Sequence, residues 1–437
     1  MLAVEILNRV EREFSFAEPL LNACLESVKL SDADRGFLTM TVYGTLRMRA
    51  RLDWIIRSFY EGDIRRMDAG VLNILRTALY QIFFMDRVPD YAAVDEAVRI
   101  AKKKFPGRDR LINAVLRKSS LNRANIQYPD MDKDPALFVS VYHSHPLWLV
   151  EKLLAIRGLE ETIAFCEANN AIPPLTLRVN RLKADRGQVI EALSAQGVVV
   201  HPTGFSPDGI NAVPGEGKIR ETSLLEYGAL HIQDEASQLV SMLAAPAQGS
   251  NVLDLCAGAG GKTTHLAEIM GNRGRIVAID LNPGKLKSLE SLARRGGIEI
   301  IQSRPADASV DLGRDFHGAF DLVLVDAPCS GTGTLRRNPE IKWRLSPDQV
   351  EGLCALQKKI LGTAPAYLRK GGRIFYSTCS ILPEENEEVI ADFISRFPGF
   401  SVKKPSSYGQ FVDDRGFFRT GPDRHGMDGF FGALLSK

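Results

Sequence analysis

The sequence predicts an α/β protein in three parts: an all-helical N-terminal domain, a small α/β module and a doubly wound α/β domain. Apolar residues recur at helical spacing near the N-terminus, and strand and helix patterns alternate in the middle of the chain. From about residue 240, apolar strands, loops and helices follow one another repeatedly. The chain has 437 residues, which is more than one compact domain usually holds.

Residues 1–122 are predicted to be almost entirely helical. Val4, Leu7 and Val10 recur at the spacing of one helix face, and proline and glycine separate the periodic stretches. This segment contains four short sequence motifs: G-T-L-R at 44–47, A-L-Y-Q-I at 78–82, V-P-D-Y-A-A-V-D-E-A-V at 88–98 and I-N-A-V-L-R-K at 112–118. In this order they resemble the NusB-like RNA-binding domain, and the resemblance covers the whole segment.

Residues 123–139 are predicted to be a linker, because the sequence becomes polar there and loses its periodicity. Residues 140–239 are predicted to form the small α/β module. Leu175–Lys183 alternates like a strand, and residues 189–200 have the pattern of a helix, a glycine stop and a strand. The word I-Q-D-E-A-S-Q-L-V at 232–240 ends this module.

Residues 240–437 are predicted to form the doubly wound domain. Its continuous apolar strands are typical of a parallel sheet covered on both faces; they are Val252–Leu255, Arg275–Asp280, Leu322–Asp326 and Arg373–Ser377. Ligands bind beyond the carboxyl ends of the strands in such sheets, and all the motifs described next lie at those ends.

The first of these strands runs into a glycine-rich turn, V-L-D-L-C-A-G-A-G-G-K-T-T. Glycines let a backbone turn tightly and bring its N–H groups close to a ligand. The spacing is neither that of a dinucleotide fingerprint nor that of a Walker-type phosphate loop. Asp280 ends the next strand, where it can accept hydrogen bonds from a ribose, and it could also be a plain helix cap. We predict that this loop binds a cofactor through Cys256, Ala257, Gly258, Ala259, Gly260, Gly261 and Lys262.

Two cysteines carry the chemistry. Cys329 lies in D-A-P-C-S-G-T-G and Cys379 lies in S-T-C-S-I-L-P-E-E-N-E. Together with the glycine loop they resemble the RNA cytosine-5 methyltransferases of the RsmB/Sun type. The resemblance implies S-adenosylmethionine as methyl donor, the Thr-Cys thiol as nucleophile and the Pro-Cys thiol as an aid to product release. It also implies that Asp307 contacts the adenine of the donor.

The chemistry explains why two thiols are needed. Carbon 5 of cytosine is a weak nucleophile until a thiolate adds to carbon 6, and a proton must later leave carbon 5. Asp326 is predicted to bind the edge of the base, and Lys262 to lower a thiol pKa or position the base. Spacing alone does not decide which cysteine attacks, because DNA cytosine-5 methyltransferases use a Pro-Cys thiol. The possession of both motifs favours the RNA family.

One departure from the family pattern lies in the glycine loop. The commonest loop reads C-A-A-P-G-G-K, whereas Gly258 and Ala259 occupy the Ala-Pro positions here. The change affects the rigidity of the loop. Two further motifs fit the resemblance. The segment L-R-R-N-P-E-I-K-W-R (335–344) is predicted to contact phosphates and to stack on a base. The segment H-G-M-D-G-F-F (425–431) is predicted to pack near the site.

Composition limits the other functions. The net charge is only +2, so any basic surface is local. One basic cluster, at 102–110, is equally typical of a solvated helix end and of an RNA contact. The six cysteines are scattered, which argues against a zinc site or a disulfide framework, and so no metal is predicted. We found no signal peptide and no apolar run of membrane-spanning length.

We therefore expect a cytoplasmic, monomeric enzyme that acts on small-subunit ribosomal RNA; the substrate follows only from the resemblance. Two alternatives remain open. One is an RNA-binding assembly factor whose methyltransferase fold no longer turns over, which intact Lys262, Asp326, Cys329 and Cys379 argue against. The other is a DNA cytosine-5 methyltransferase, which the Thr-Cys motif and the lack of a recognisable DNA-recognition domain disfavour.

Overall fold

The computed structural model describes residues 1–213, 219 and 222–437. The chain forms two compact units. The first comprises Met1–Ile172 and Leu335–Leu345, and the second comprises Pro173–Thr334 and Ser346–Lys437. The glycine loop, Asp280, Asp307, Asp326 and both motif cysteines all belong to the second unit.

The first unit is built from helices. They are α1 (Leu2–Arg12), α2 (Ala17–Ser27), α3 (Asp32–Arg47), α4 (Arg49–Phe59), α5 (Ala69–Phe84), α6 (Asp90–Lys104), α7 (Asp109–Leu121), α8 (Pro135–Tyr142) and α9 (Leu147–Asn170). Val4, Leu7 and Val10 are buried on one face of α1, which confirms the predicted spacing. The helix α5 lies at the centre of the core, and its buried face packs against α4, α6 and α7.

Residues 335–345, which follow the Pro-Cys motif in sequence, belong to this helical unit. Lys342 is only 2% exposed. Its ammonium donates to the carbonyl of Arg47 (3.3 Å), the carbonyl of Ser144 (3.0 Å) and the side chain of Asn170 (2.8 Å). The indole N–H of Trp343 donates to a backbone carbonyl of α3 (2.6 Å). This segment is therefore anchored by its polar side chains.

These contacts correct one expectation. We expected the basic residues and Trp343 of segment 335–344 to contact phosphates and stack on a base. Arg336 and Lys342 are instead buried, and Arg344 donates to the carbonyl of Val10 (3.1 Å). The expectation is wrong for Lys342, because the three N–H groups of its ammonium are used within the helical unit. Basic and aromatic residues occur both in buried structural contacts and in exposed RNA contacts, so the sequence alone does not distinguish these two alternatives.

The second unit begins with a small antiparallel sheet in the order β2-β3-β1-β4. Its elements are β1 (Leu175–Val179), α10 (Arg186–Ala195), β2 (Val200–Pro202), β3 (Gly209–Ala212), α11 (Ser223–Glu226) and β4 (Leu230–Ile232). Asp185 and Gln188 form a capping box at the start of α10. A strand, a helix and a second strand were predicted here, and the observed β1 is shorter than the predicted strand.

The large sheet has the order β10-β12-β9-β8-β5-β6-β7. Its strands are β5 (Asn251–Asp254), β6 (Arg275–Asp280), β7 (Ile301–Pro305), β8 (Phe320–Asp326), β9 (Leu368–Thr378), β10 (Ser401–Lys403) and β12 (Phe431–Ser436), and β11 (Phe418–Arg419) pairs with β12. The strands β5 to β9 are parallel to one another. The sequence did not predict the antiparallel edge formed by β12 and β10.

Helices cover both faces of this sheet, as predicted for a doubly wound domain. They are α12 (Glu235–Ala244), α13 (Gly261–Ile269), α14 (Pro283–Gly296), α16 (Pro347–Tyr367), α17 (Glu387–Arg396) and α18 (Pro422–His425), while the short α15 (Ile341–Arg344) belongs to the helical unit. Along β8, Val323 and Val325 pack with α16 and α17, whereas Leu322 and Leu324 pack with α12 and α13. Among the described residues, no helix is long and apolar enough to cross a membrane.

Candidate active site

The candidate site lies at the carboxyl ends of the parallel strands β5, β6, β8 and β9. Because these strands run side by side in one direction, the loops that follow them meet at one edge of the sheet. The glycine loop follows β5, Asp280 ends β6, Asp326 ends β8, and Cys379 comes directly after β9. The structure therefore brings together the glycine loop, Asp280, Asp326 and Cys379, as the sequence predicts.

The glycine loop turns through two left-handed residues. Gly260 has φ +93°, and a Cβ there would lie 2.6 Å from the Cγ of Leu289, so only glycine fits. Gly258 has φ +56° with open space around it. Its conformation, rather than crowding, favours glycine. Cys256 is partly buried against the core, and burial raises the pKa of its thiol well above the usual value.

Asp280 links the loop to the next strand. One carboxylate oxygen accepts the backbone N–H of Gly258 (2.9 Å), and the other accepts the N–H of Asn282 (2.8 Å). A carboxylate has about four lone-pair positions, so it can still accept hydrogen bonds from a ribose. Asp280 is half-buried and faces the loop.

Asp307 lies apart from this cluster. It is exposed on the turn after β7, where its carboxylate accepts the backbone N–H of Ser309 (2.8 Å). The hydrogen bond with Ser309 lowers the pKa of Asp307 below its usual value. In the described part of the chain, no hydrogen bond joins Asp307 to Asp280 or to the glycine loop.

Lys262 and Asp326 form the ion pair of the site. The Lys262 ammonium lies 2.6 Å from one carboxylate oxygen of Asp326, and the Ser377 hydroxyl donates to the other (2.8 Å). Burial lowers the pKa of Lys262, but the attraction of Asp326 outweighs it and the pKa is raised. The ammonium also lies 4.9 Å from the centre of the Phe430 ring, which confirms that the C-terminal word packs near the site.

The two motif thiols are in contact. The Sγ atoms of Cys329 and Cys379 lie 3.3 Å apart, although fifty residues separate them in sequence. The hydrogen bond to Cys379, helped by burial, raises the pKa of Cys329 well above the usual value. Either thiol can be the donor in this contact. Lys262 interacts electrostatically with Cys379.

Comparison with known proteins agrees with this arrangement. Residues 241–436 match the model of the 16S rRNA methyltransferase RsmB/F family. Residues 1–120 match the NusB family, and residues 145–213 match the ferredoxin-like domain of RsmF/B-like methyltransferases. A probable ribosomal RNA small subunit methyltransferase B from Bacillus subtilis (strain 168) is 36% identical over all of this chain and 98% of its own length.

The chain belongs to the RsmB family of ribosomal RNA small subunit methyltransferases.

Other relatives place it in the same family. Ribosomal RNA small subunit methyltransferase B from Pseudomonas putida (strain KT2440) is 36% identical over 85% of this chain and 83% of its own length. The crystal structure of the protein PH0851 superimposes with a TM-score of 0.85 and 30% identity, covering 99% of this chain and 97% of that one. The helical NusB domain followed by a methyltransferase domain is thus confirmed.

RsmB-type enzymes are S-adenosylmethionine-dependent methyltransferases, and the residues of this chain fit that donor. The donor is a sulfonium cation, and the β6 and β8 ends supply the carboxylates Asp280 and Asp326. The loop leaves open space beside its backbone at Gly258. Among the described residues, no group of His, Cys, Asp and Glu side chains could hold a metal ion.

Sequence reasoning missed a buried arginine of the small module that contacts the glycine loop. Arg178 on β1 is fully buried, and its guanidinium donates to the carbonyl of Gly261 (2.7 Å) and to the hydroxyl of Thr264 (3.0 Å). It also pairs with the buried Glu268 (2.8 Å) and bonds to Gln233. All five guanidinium N–H groups are thereby satisfied. The segment V-N-R-L-K (179–183) directly follows Arg178, and its sequence does not indicate this contact.

Sequence reasoning also missed three residues that support the thiols and the ion pair. Ser377 and Glu385 lie in the Thr-Cys motif around Cys379, and Phe430 lies in the C-terminal motif H-G-M-D-G-F-F. The only signal available for them was their place beside a cysteine motif. Their roles depend on hydrogen bonds and ring contacts between distant parts of the chain.

We predict that Asp254→Asn stabilises the protein more as the pH rises. Asp254 is buried, and burial raises its pKa to about 7, although Thr263 donates to it (2.7 Å). The folded state therefore holds a proton that the unfolded state releases. This costs stability progressively from about pH 4 to pH 7, and Asn removes the cost. The gain in unfolding free energy should increase by about 2.6 kcal/mol between pH 5 and pH 8.

Urea denaturation without donor at both pH values measures this gain. The exposed Asp315→Asn is the matched control and should show no increase. A gain for Asp254→Asn that is equal at pH 5 and pH 8 would contradict the raised pKa.

Proposed function

We propose that this chain transfers the methyl group of S-adenosylmethionine to carbon 5 of a cytosine in small-subunit (16S) ribosomal RNA through a covalent cysteine adduct. The observation that carries the proposal is the contact of the Cys329 and Cys379 thiols beside the Lys262–Asp326 ion pair. The curated relatives are named ribosomal RNA small subunit methyltransferase B, which supports the substrate.

The reaction balances in three steps. The Cys379 thiolate adds to carbon 6 of the cytosine, and the ring electrons move towards carbon 5. The donor would supply an electrophilic methyl group on its sulfonium sulfur. Carbon 5 would form its new bond to that methyl carbon as the bond from the methyl carbon to sulfur breaks, and the sulfur would keep the electron pair and leave as a neutral thioether. A base then removes the proton from carbon 5, the double bond between carbons 5 and 6 forms again, and Cys379 leaves as a thiolate.

The thiols differ in a way that suits these roles. Cys379 is the nucleophile in this proposal, because it lies within the electrostatic reach of the Lys262 cation and in the Thr-Cys motif, which supplies the nucleophile in the enzymes that this sequence resembles. Cys329, whose sulfur lies 3.3 Å from that of Cys379, is proposed to assist proton removal and product release after methylation.

Asp326 and Lys262 are proposed to manage the charge of the base. Asp326 can accept a hydrogen bond from the exocyclic amine of cytosine or, when protonated, donate one to ring nitrogen 3. Lys262 and Ser377 already hold its carboxylate in place (2.6 and 2.8 Å), so little reorganisation is needed when the base binds.

The donor site is proposed to be the glycine loop and the carboxylates that follow the neighbouring strands. Asp280 would bind the ribose, and the exposed Asp307 would face the adenine. The loop itself contributes Cys256, Ala257, Gly258, Ala259, Gly260, Gly261 and Lys262, and Asp326 completes the set. The backbone N–H groups and the half-buried carboxylates of these residues suit a polar, cationic ligand.

The helical domain is proposed to bind the RNA, and the protein to work as a cytoplasmic monomer. Residues 1–120 match the NusB family. The basic side chains of the predicted cluster, Lys102, Lys103, Lys104, Arg108 and Arg110, are all exposed around the end of α6 and the start of α7. A basic surface of this kind suits phosphate contacts.

We predict opposite outcomes for the two thiol variants. Cys379→Ala should form no protein–RNA adduct and lose methylation by at least about 1,000-fold, because the attack on carbon 6 is lost. Cys329→Ala should still be attacked and methylated but then stall, so that a denaturant-resistant adduct accumulates. Donor affinity should be unchanged in both variants. Denaturing gels with labelled RNA and calorimetry of donor binding measure these outcomes.

Cys354→Ala is the matched control, because this cysteine lies in α16 outside both motifs. It should methylate as the wild type does. An adduct in Cys379→Ala together with none in Cys329→Ala would move the nucleophile to the Pro-Cys loop. Wild-type protein that binds RNA but never methylates it would favour an assembly factor.

We predict that Lys102→Ala/Lys103→Ala weakens RNA binding without changing donor affinity. If both lysines contact phosphates, the slope of log affinity against log salt should become shallower by about 1.4 to 1.8. Point substitutions are preferable to removing residues 1–122, because Lys342 and Trp343 bond to that segment. Filter binding at several salt concentrations measures the slope. The exposed pair Lys403→Ala/Lys404→Ala is the control, and an equal loss in both variants would refute the assignment.

A further inference from the structure

We propose that Glu385 is a positioning residue that holds the Cys329 and Cys379 loops together. The proposal rests on the proposed function, in which both thiols act on one base. Glu385 lies in the segment P-E-E-N-E, to which the proposed reaction assigns no role. It ends a short 3-10 turn (Pro383–Glu385) and is fully buried.

The carboxylate of Glu385 reaches both loops. One oxygen accepts the backbone N–H of Ser330 (2.8 Å) and the side-chain amide of Gln357 (3.0 Å). The other oxygen accepts the hydroxyl of Ser330 (2.5 Å) and the hydroxyl of Ser380. These four hydrogen bonds fill the lone pairs of the carboxylate. Ser330 directly follows Cys329, and Ser380 directly follows Cys379, so one anion joins the residues next to the two thiols.

The turn that carries Glu385 is itself held in place. The phenol of Tyr376 on β9 donates to the carbonyl of Glu385 (2.7 Å). The neighbouring Asn386 accepts the hydroxyl of Thr378 (2.5 Å) and donates to the carbonyl of Ser380 (2.9 Å). The carboxylate therefore approaches the loops from a fixed backbone, as a positioning group should.

A carboxylate is a costly choice for this position. Among the described residues, no cation forms an ion pair with Glu385, so hydrogen bonds alone offset its loss of hydration. Hydrogen bonds to a charged acceptor are stronger than neutral ones. Other contacts between the loops, such as Gly333 N–H to the carbonyl of Cys379 (2.9 Å), are neutral. Glu385 is thus the charged group that connects the two thiol loops.

Two variants separate its shape from its hydrogen bonding. In Glu385→Gln the amide oxygen can accept from Ser330 N–H and Gln357, and the amide N–H groups can donate to the two serine hydroxyls, which rotate to accept. In Glu385→Leu all four partners lose their acceptor. Glu385→Gln should therefore keep the loops in place, whereas Glu385→Leu should let them separate.

The test measures the distance between the thiols without requiring methylation. Diamide oxidises two nearby thiols to a disulfide: two S–H bonds break, one S–S bond forms, and the N=N bond of diamide takes up both hydrogens. The rate at which the Cys329–Cys379 disulfide forms is followed by mass mapping of unreduced peptides. We expect Glu385→Leu to slow it by at least about tenfold and to lower kcat by about 100-fold, with donor affinity unchanged. Glu385→Gln should remain within about threefold of the wild type.

Glu388→Leu is the matched control, because Glu388 is exposed and lies three residues further along the chain. In this variant the Cys329–Cys379 disulfide should form at the wild-type rate. Wild-type oxidation rates in Glu385→Leu, or equal slowing in Glu388→Leu, would overturn the proposal. If circular dichroism shows that Glu385→Leu does not fold, Ser380→Ala replaces it as the test. Disulfide formation in Ser380→Ala should be about threefold slower than in the wild type, and an unchanged rate would refute the proposal. Because oxidation needs neither donor nor RNA, failure of the proposed function would leave this result interpretable.

Discussion

The site depends on the pairing of β8 with β9. The two strands are parallel neighbours, and Asp326 lies opposite Ser377 at their carboxyl ends. This register places the Pro-Cys loop beside the Thr-Cys loop, so the thiols meet, Ser377 donates to Asp326, and Glu385 reaches both loops. A shift of the register by one residue would turn these side chains to the opposite face of the sheet.

The charges and protons of the site are distributed unequally. Lys262 and Asp326 form an ion pair, while the contact with Cys379 and burial raise the pKa of the Cys329 thiol. Asp254, one strand away, holds a proton to about pH 7 because it is buried. Cys379 is the thiol that Lys262 reaches electrostatically. This asymmetry suits the proposed attacking and releasing roles, which the motifs alone left open.

Local patterns predicted the elements and the position of the site. The strand β6 has the predicted bounds Arg275–Asp280, and β9 is an extension of the predicted Arg373–Ser377. The anchoring of Lys342 and the role of Glu385 could not be predicted, because each depends on partners dozens of residues away. Periodicity reports which face of an element is apolar, but it does not report which distant carbonyl or hydroxyl will meet a polar side chain. Asp307 was predicted from the resemblance alone, and the structure places it on an exposed turn.

The most direct test of covalent transfer to carbon 5 uses small-subunit RNA that contains 5-fluorocytidine. Fluorine replaces the proton that must leave carbon 5, so the enzyme cannot release the base after attack and methylation. The wild-type protein is incubated with this RNA and the donor, and the denaturant-resistant complex is digested and mapped by mass spectrometry. The account predicts a methylated fluorocytosine nucleotide attached to the peptide of Cys379. Attachment to the peptide of Cys329, or normal methylation of unmodified RNA with no trapped complex, would contradict it.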